Sequence, residues 1–164
     1  MLKANTMKVI TLMSSEKQKF LVPEAVAKHS LTIHDVIEDG RADNKIIRVT
    51  NVNSRILQKV MMYCGRHVAA AEKMAYASKP HKVAEKLKKW DAEFLDTDVD
   101  TLNDLIMAAD SLNIPGLLDG ACEKVADILK DKSPEEVRQI FKIENEFTHA
   151  EEEEIHRENA WTYA

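Results

Sequence analysis

The sequence predicts a protein of the α+β class, with a small unit of short strands and helices first and helices through the rest of the chain. Three short segments rich in strand-forming residues lie within the first 50 residues. After them, apolar residues recur three and four positions apart, as in helices that bury one face. Because the chain has 164 residues, 45% of them hydrophobic, it can build one domain of ordinary size and an appendage.

The first half begins with a predicted two-stranded hairpin. Its strands, residues 7–13 and 19–22, are separated by five polar residues, which is a length typical of hairpins. A short helix is predicted over residues 23–29, because its Pro-Glu start favours a helix N-terminus. A second helix is predicted to begin at Thr32 and to end at Gly40.

A third strand, predicted over residues 46–49, completes this mixed unit of strands and helices. Thr50 or Asn51 is expected to cap the helix that follows, from about Asn53 to His67. The predicted buried stripe of that helix consists of Ile56, Leu57, Val60, Met61 and Cys64.

The stretch of residues 68–89 is predicted to be a variable basic insertion. From residue 66 to residue 89 the sequence carries seven bases and two acids among many alanines. A connection of this length is usually disordered or functional, and the pattern favours a solvated, partly helical linker. Contact with a membrane or with nucleic acid is disfavoured, because Tyr76 is the one aromatic residue of the stretch and the following half of the chain is acidic.

The next predicted helix has two different faces. Asp98 or Asp100 is expected to cap it. Its core stripe consists of Leu102, Leu105, Ile106, Ala109 and Leu112. Its opposite, more polar side consists of Asn103, Met107, Asp110 and Ser111. Pro115 begins one more helix, which is apolar enough to be the predicted centre of the second half.

The C-terminal tail combines strong helix signals with dense acidic charge. Residues 133–136 (SPEE) predict a capped helix start, and the apolar stripe Val137, Ile140 and Phe141 follows it. Residues 148–151 repeat the capping pattern and predict another helix, whose run of glutamates cannot enter a core.

Apolar residues are interleaved with the charge of this tail. Residues 133–164 hold nine acids and three bases. The interleaved apolar residues are Ile143, Phe147, Ile155 and Trp161. Two interpretations stay open: these side chains pack back on the preceding domain, or some of them form an exposed apolar patch for another protein.

The charge of the chain is divided between its halves. Residues 1–90 hold 17 bases and 8 acids, whereas residues 91–164 hold 6 bases and 20 acids. An acidic half of this size argues against nucleic acid as the main partner, because phosphate binding needs clustered Lys and Arg. Neither a membrane-spanning segment nor a signal peptide is evident, so we expect a soluble, intracellular protein with no membrane partner.

Motifs for catalysis or for a bound cofactor are not evident in the sequence. The six histidines lack metal-ligand spacing, and the four glycines form no phosphate-binding loop. Cys64 and Cys122 lie far apart in apolar surroundings, which predicts two buried, reduced and unreactive thiols. We therefore expect neither an enzyme nor a metal or other cofactor.

The assembled motifs resemble those of the S-phase kinase-associated protein family, which consists of small BTB/POZ-type adaptors. The resemblance covers nearly the whole chain, and residues 66–68 resemble plant-type members most. Its strongest pieces are Pro134-Glu135-Glu136, Phe141-Lys142-Ile143, Phe147-Thr148, and Arg157-Glu158-Asn159 with Trp161.

The resemblance implies a BTB/POZ-like domain over residues 7–130, in which helices cover a small three-stranded sheet, and a C-terminal helical extension over residues 131–164. It implies an adaptor that joins F-box substrate receptors to a cullin in an SCF-type ubiquitin ligase, for ubiquitin-dependent degradation, in the nucleus and cytoplasm. The implied F-box-binding residues are Leu117, Leu118, Cys122, Ile140, Phe141, Ile143, Asn145, Phe147, Ile155, Asn159 and Trp161.

The resemblance also implies a cullin-facing surface that includes Met107, and there the sequence departs from the family. Members typically carry Phe at the position of Asn103, and Asn-Tyr at the positions of Asp110 and Ser111. Serine removes a large apolar contact, and aspartate adds a charge that binding must desolvate. An alternative is therefore an F-box-binding partner or stabiliser that has lost or narrowed its cullin coupling. Weak self-association of the free chain is a further expectation.

Overall fold

The computed structural model describes residues 8–40 and 46–141, and for Phe141 it describes the backbone only. The strands are β1 (Val9–Met13), β2 (Lys19–Pro23) and β3 (Ile46–Arg48). The helices are α1 (Glu24–Ala27), α2 (Leu31–Glu38), α3 (Ser54–Tyr76), α4 (Pro80–Phe94), α5 (Val99–Ser111), α6 (Pro115–Leu129) and α7 (Pro134–Phe141). The chain divides into two compact units after Ile128, and α7 belongs to the second.

The three strands form one mixed sheet in the order β2-β1-β3. β1 pairs antiparallel with β2, where Leu12 lies opposite Phe20, and parallel with β3, where Leu12 lies opposite Ile47. Alternation along the strands places one set of side chains on the buried face: Ile10, Leu12, Val22 and Ile47. The sheet and the helices after it confirm the predicted α+β class and the predicted hairpin.

The core of the first unit combines side chains from the sheet with side chains from α2, α3, α5 and α6. The largest fully buried aliphatic residues include Leu12, Ile33, Ile56, Leu57, Val60, Leu102, Leu105 and Leu117. Burial of each such side chain contributes about 1.5–3 kcal/mol to folding. This shared core therefore holds α5 and α6 in fixed positions.

The start of α2 differs from the predicted start at Thr32. Ser30 is the cap, because its hydroxyl oxygen accepts a hydrogen bond from the Ile33 N–H at 3.2 Å. The same hydroxyl donates to the carbonyl of Leu112, just after α5. One buried serine thus caps α2 and ties it to the end of α5, a long-range contact that local sequence patterns do not contain.

The start of α3 also differs from the prediction. Asn53 is the cap, and its side-chain oxygen accepts a hydrogen bond from the Ile56 N–H at 2.9 Å. The predicted caps, Thr50 and Asn51, are therefore wrong. Asn51 instead donates from its side-chain amide to the hydroxyl of Ser111.

Residues 68–89 are largely helical and mostly exposed, so they contain more helix than the partly helical linker that was predicted, and the predicted end of α3 near His67 is wrong. α3 continues without a break to Tyr76, and α4 begins at Pro80, whose missing N–H costs nothing at a helix start. Alanine and lysine favour helices, but the stretch has only a narrow apolar stripe, so its packing partner is not evident from its pattern.

α4 packs along α3 and is held there by polar and aromatic contacts. Nε2 of His67 lies 2.7 Å from Oδ1 of Asp91. The guanidinium of Arg66 lies 5.7 Å from the centroid of the Trp90 ring. α3 and α4 therefore form a helical hairpin attached to the core.

α6 is less buried than predicted. Leu117 and Ala121 are its buried residues, whereas Cys122 is exposed, so the prediction of two buried thiols is wrong for Cys122. Cys64 is buried as predicted, and burial raises the pKa of its thiol to about 12. α6 therefore turns one side toward the core and leaves another side accessible.

Gly116 lies where the start of α6 passes Tyr63. A Cβ atom at this position would lie 2.8 Å from the Tyr63 hydroxyl oxygen. Tyr63 is buried and its ring is stacked on His67, so it has little room to move. We expect Gly116→Ala to lower the free energy of unfolding by about 1–3 kcal/mol, as overpacked cores do, in urea unfolding experiments.

The matched control is Gly65→Ala in the middle of α3. A Cβ atom there would lie 3.9 Å from Cγ1 of Val26, which is an ordinary contact. Alanine is favoured over glycine inside a helix by about 0.5–1 kcal/mol, so this substitution should stabilise the protein. Two stabilising substitutions would contradict the close approach of Gly116 to Tyr63.

Candidate partner-binding surfaces

The predicted site residues that the structure describes lie on α5, α6 and α7. Within residues 8–40 and 46–141, no group of three or more His, Cys, Asp or Glu side chains could hold a metal ion. This part of the chain also contains no helix that is long and apolar enough to span a membrane.

The outer face of α5 carries the residues predicted to face a cullin. Asn103, Met107 and Asp110 are exposed, and the side chain of Met107 keeps 69% of its surface accessible. The other side of the helix is buried through Leu102, Leu105, Ala108 and Ala109. The core thus fixes the direction in which this face points.

Ser111, the fourth residue of this face, is partly buried and tied to two other segments. Its carbonyl accepts a hydrogen bond from the Thr32 hydroxyl at 3.2 Å, and its hydroxyl accepts one from the side-chain amide of Asn51. A serine at this position therefore connects the end of α5 to α2 and to the loop before α3. Its sequence pattern does not indicate these contacts.

The other end of α5 is fixed by Asp98, which confirms one of its two predicted caps. The Asp98 carboxylate accepts hydrogen bonds from the Thr101 hydroxyl at 2.7 Å and from the Thr101 N–H at 3.0 Å. These two bonds lower the pKa of Asp98 to about 2. Arg55 of α3 donates to the same Thr101 hydroxyl at 2.9 Å. α5 is therefore anchored at both ends.

α6 presents an apolar flank that consists of Leu118, Cys122 and Val125. Leu118 and Val125 are partly buried against the core, and Cys122 between them is exposed. Their spacing of four and three residues places them on one side of the helix. Leu117, which was predicted to contact the same partner, is fully buried, so it positions α6 rather than facing solvent.

Val125 is the residue of this flank that the predicted site omits. It is one of the apolar residues that make α6 the predicted centre of the second half, yet it is only partly buried. Its spacing of three residues from Cys122 is the signal that could have found it.

In α7 the predicted helix start is confirmed. The hydroxyl oxygen of Ser133 accepts a hydrogen bond from the Glu136 N–H at 3.2 Å. Val137 and Ile140 are partly exposed, whereas Glu135 and Arg138 are exposed. α7 is therefore amphipathic, with a narrow apolar stripe between charged residues.

The remaining predicted F-box-binding residues lie outside the part of the chain that the structure describes. They are the side chain of Phe141 and the residues Ile143, Asn145, Phe147, Ile155, Asn159 and Trp161. The helix predicted from residue 148 also lies outside the described residues. These assignments stay predictions.

Two protein-family models match the chain. The model of the Skp1 family, tetramerisation domain, matches residues 8–69, which include the sheet and the first part of α3. The model of the Skp1 family, dimerisation domain, matches residues 115–162, which include α6 and α7. α4 and α5 lie between the two matched segments.

Similar proteins match nearly the whole chain. SKP1-like protein 1 of Oryza sativa subsp. japonica is 52% identical over 166 residues, which cover 95% of this chain and 95% of that protein. SKP1-like protein 20 of the same organism is 48% identical, with 98% and 97% covered. SKP1-like protein 1A of Arabidopsis thaliana is 48% identical, with 95% and 98% covered. The chain therefore belongs to the Skp1 family, as a plant-type member.

Proposed function

We propose that this protein is a non-catalytic adaptor that links F-box substrate receptors to a cullin scaffold in an SCF-type ubiquitin ligase, for ubiquitin-dependent protein degradation. Membership of the Skp1 family supports an SCF adaptor role in general terms. The nucleus and the cytoplasm are the proposed locations. The observation that carries the F-box part of the proposal is the apolar flank of α6, which is solvent-accessible although it lies next to the core.

The apolar flank of α6 and the apolar stripe of α7 each have the character of a partner surface. Leu118, Cys122 and Val125 leave apolar surface accessible on α6, and Val137 and Ile140 do so on α7. Both helices belong to the segment that matches the model of the Skp1 family, dimerisation domain. Apolar residues with a polar rim are the usual composition of a protein interface, and a chain of this kind gains stability by covering them.

The proposed contact with a cullin rests on a surface that offers little apolar area. The exposed face of α5 offers Met107 as its one large apolar side chain, and Asp110 places a charge beside it. Members of the family that the chain resembles typically carry Tyr at the position of Ser111. This chain has a small residue there, and its hydroxyl accepts a hydrogen bond from Asn51. We propose that cullin coupling is weak or selective, because the face lacks an aromatic anchor and a charge must be desolvated.

A second candidate function is an F-box-binding stabiliser that works outside any ligase. Its support is the same α5 face: a surface on which Asp110 and Asn103 are exposed to solvent gains little from binding an apolar partner, because both polar side chains would have to be desolvated. Affinity for a cullin N-terminal domain separates the two functions. F-box proteins are the proposed partners in both functions, and neither function includes a catalytic step or a cofactor.

The F-box assignment is tested by Phe141→Ala and Trp161→Ala. Aromatic anchors of an interface cost about 2–4 kcal/mol on truncation, so each variant should bind an F-box domain roughly 30- to 1000-fold more weakly. Binding is measured by calorimetry and folding by circular dichroism, with Gln139→Ala at an exposed position of α7 as the control. Unchanged affinity in both aromatic variants would contradict the assignment.

A further inference from the structure

The hairpin of α3 and α4 contains a cleft that none of the surfaces described above includes. Its apolar floor consists of Ala69 and Ala70 from α3 with Val83 and Leu87 from α4. Its rim carries three cations: Arg66, Lys73 and Lys86. We call these seven residues the basic cleft. Its volume is about 130 Å³, room for about one apolar side chain.

The three rim cations of the basic cleft form no ion pair with any carboxylate of residues 8–40 and 46–140. The guanidinium of Arg66 lies against the ring of Trp90 instead. The two acids of the hairpin, Glu72 and Glu85, do not line the cleft. The cleft therefore concentrates positive charge that its own helices leave uncompensated.

The surroundings of the cleft add to this charge. From residue 66 to residue 89 the chain holds seven bases and two acids, although the protein as a whole has a net charge of −5. Lys82 and Lys89 are exposed on α4. In an acidic protein, a basic surface of this size attracts anionic groups and speeds their association.

The floor of the cleft decides which kind of anion fits. Ala70 is buried, and Val83 and Leu87 are partly exposed between the cations. A phosphate backbone would leave this apolar surface uncovered, and single-stranded nucleic acid would need free aromatic rings for stacking. The ring of Trp90 already stacks on Phe94 at 5.0 Å between centroids. A peptide that carries an apolar side chain between carboxylates covers the floor and neutralises the rim.

From this charge and shape complementarity we infer that the basic cleft binds an acidic segment of a partner protein, with one aliphatic side chain on the floor and carboxylates on Lys73 and Lys86. None of its seven residues belongs to the F-box or cullin contacts proposed above. The sequence pattern predicts that this stretch is only a linker. According to the inference, the helical hairpin binds a partner protein itself.

The test uses the full chain and a short fluorescein-labelled peptide in which one leucine is flanked by glutamates, followed by fluorescence anisotropy. We expect saturable binding that weakens as salt is added. Lys73→Glu combined with Lys86→Glu should weaken it at least about tenfold, because both rim contacts become repulsive. The control pair is Lys8→Glu with Lys19→Glu, which changes the net charge equally at exposed positions of the sheet unit. This pair should leave the affinity within about twofold, because additional long-range charge is screened.

A second peptide, a variant of the cleft floor and a duplex DNA test what the cleft recognises. A peptide with serine in place of leucine should bind more weakly than the leucine peptide, and Leu87→Ser should abolish that difference. Circular dichroism checks that each variant folds. Equal binding of both peptides, an equal effect of the two lysine pairs, or no saturable binding would each overturn the proposal. Tighter binding of a duplex DNA than of the leucine peptide would assign the cleft to nucleic acid and would overturn it as well.

Discussion

The Cys122→Lys variant is expected to bind an F-box domain roughly 30- to 1000-fold more weakly than the unsubstituted chain. Cys122 is the exposed centre of the apolar flank of α6, between Leu118 and Val125. A lysine there would have to bring its ammonium group into an apolar contact, and burying an unpaired charge is costly. Calorimetric titration with a purified F-box domain measures the effect.

The same substitution should leave folding intact, which separates a binding effect from a stability effect. The side chain of Cys122 is exposed, so lysine replaces no core contact. The matched control is Asp127→Lys, an exposed position on the opposite side of α6, which should leave the affinity within about twofold. If the two lysine variants bind the F-box domain equally well, the flank is not the contact surface.

The triple variant Asn103→Phe, Asp110→Asn and Ser111→Tyr is expected to bind a cullin N-terminal domain at least about 30-fold more tightly than the unsubstituted chain. It adds two aromatic side chains to a face that now offers Met107, and it removes a charge that binding must desolvate. The substitution of Ser111 removes the hydrogen bond from Asn51, but the buried side of α5, the Asp98 cap and the bond from Thr32 to the carbonyl of residue 111 remain, so we expect the helix to stay in place.

The control for the triple variant is Ser111→Ala. It removes the hydroxyl that accepts a hydrogen bond from Asn51 but adds no aromatic surface. Its cullin affinity should equal that of the unsubstituted chain. An increase with alanine would mean that the hydrogen bond, rather than the missing aromatic ring, limits cullin binding. Equal affinities for the triple variant and the unsubstituted chain would refute the proposed narrowing of cullin coupling.

Local signals in the sequence were sufficient for most elements of the fold. Alternating strand residues and a short polar connection located the hairpin, and Asp98, Pro115 and Ser133 located three helix starts. The caps Ser30 and Asn53 were missed because several Ser, Thr and Asn residues compete near each start. For α2, the hydrogen bond from Ser30 to Leu112 favours Ser30 over the other candidate caps. The two residues are far apart in the chain, so local sequence does not indicate this bond.

The hairpin of α3 and α4 shows where sequence patterns were insufficient. The second half of α3 and the whole of α4 bury few side chains, so the apolar periodicity that normally identifies a packed helix is weak there. Their packing instead depends on specific pairs, such as His67 with Asp91 and Arg66 with Trp90. Such pairs join residues more than 20 positions apart and leave no local pattern.

The exposure of Cys122 was not predictable from residue type, because free cysteine is usually buried. Only the packing of α6 shows that its apolar residues divide between a buried side and a partly exposed flank. The polar face of α5, in contrast, follows directly from helical spacing, because the buried residues Leu102 and Leu105 fix the orientation of Asn103 and Met107.

Size-exclusion chromatography of this chain with one F-box domain and one cullin N-terminal domain tests the central claim most directly. We predict that the chain and the F-box domain elute together in one peak and that most of the cullin domain elutes separately, joining the complex fully only with the triple variant of α5. A complete ternary peak with the unsubstituted chain would leave the adaptor function intact and refute the narrowed coupling. Separate elution of the F-box domain would contradict the claim that this protein is an F-box-binding adaptor.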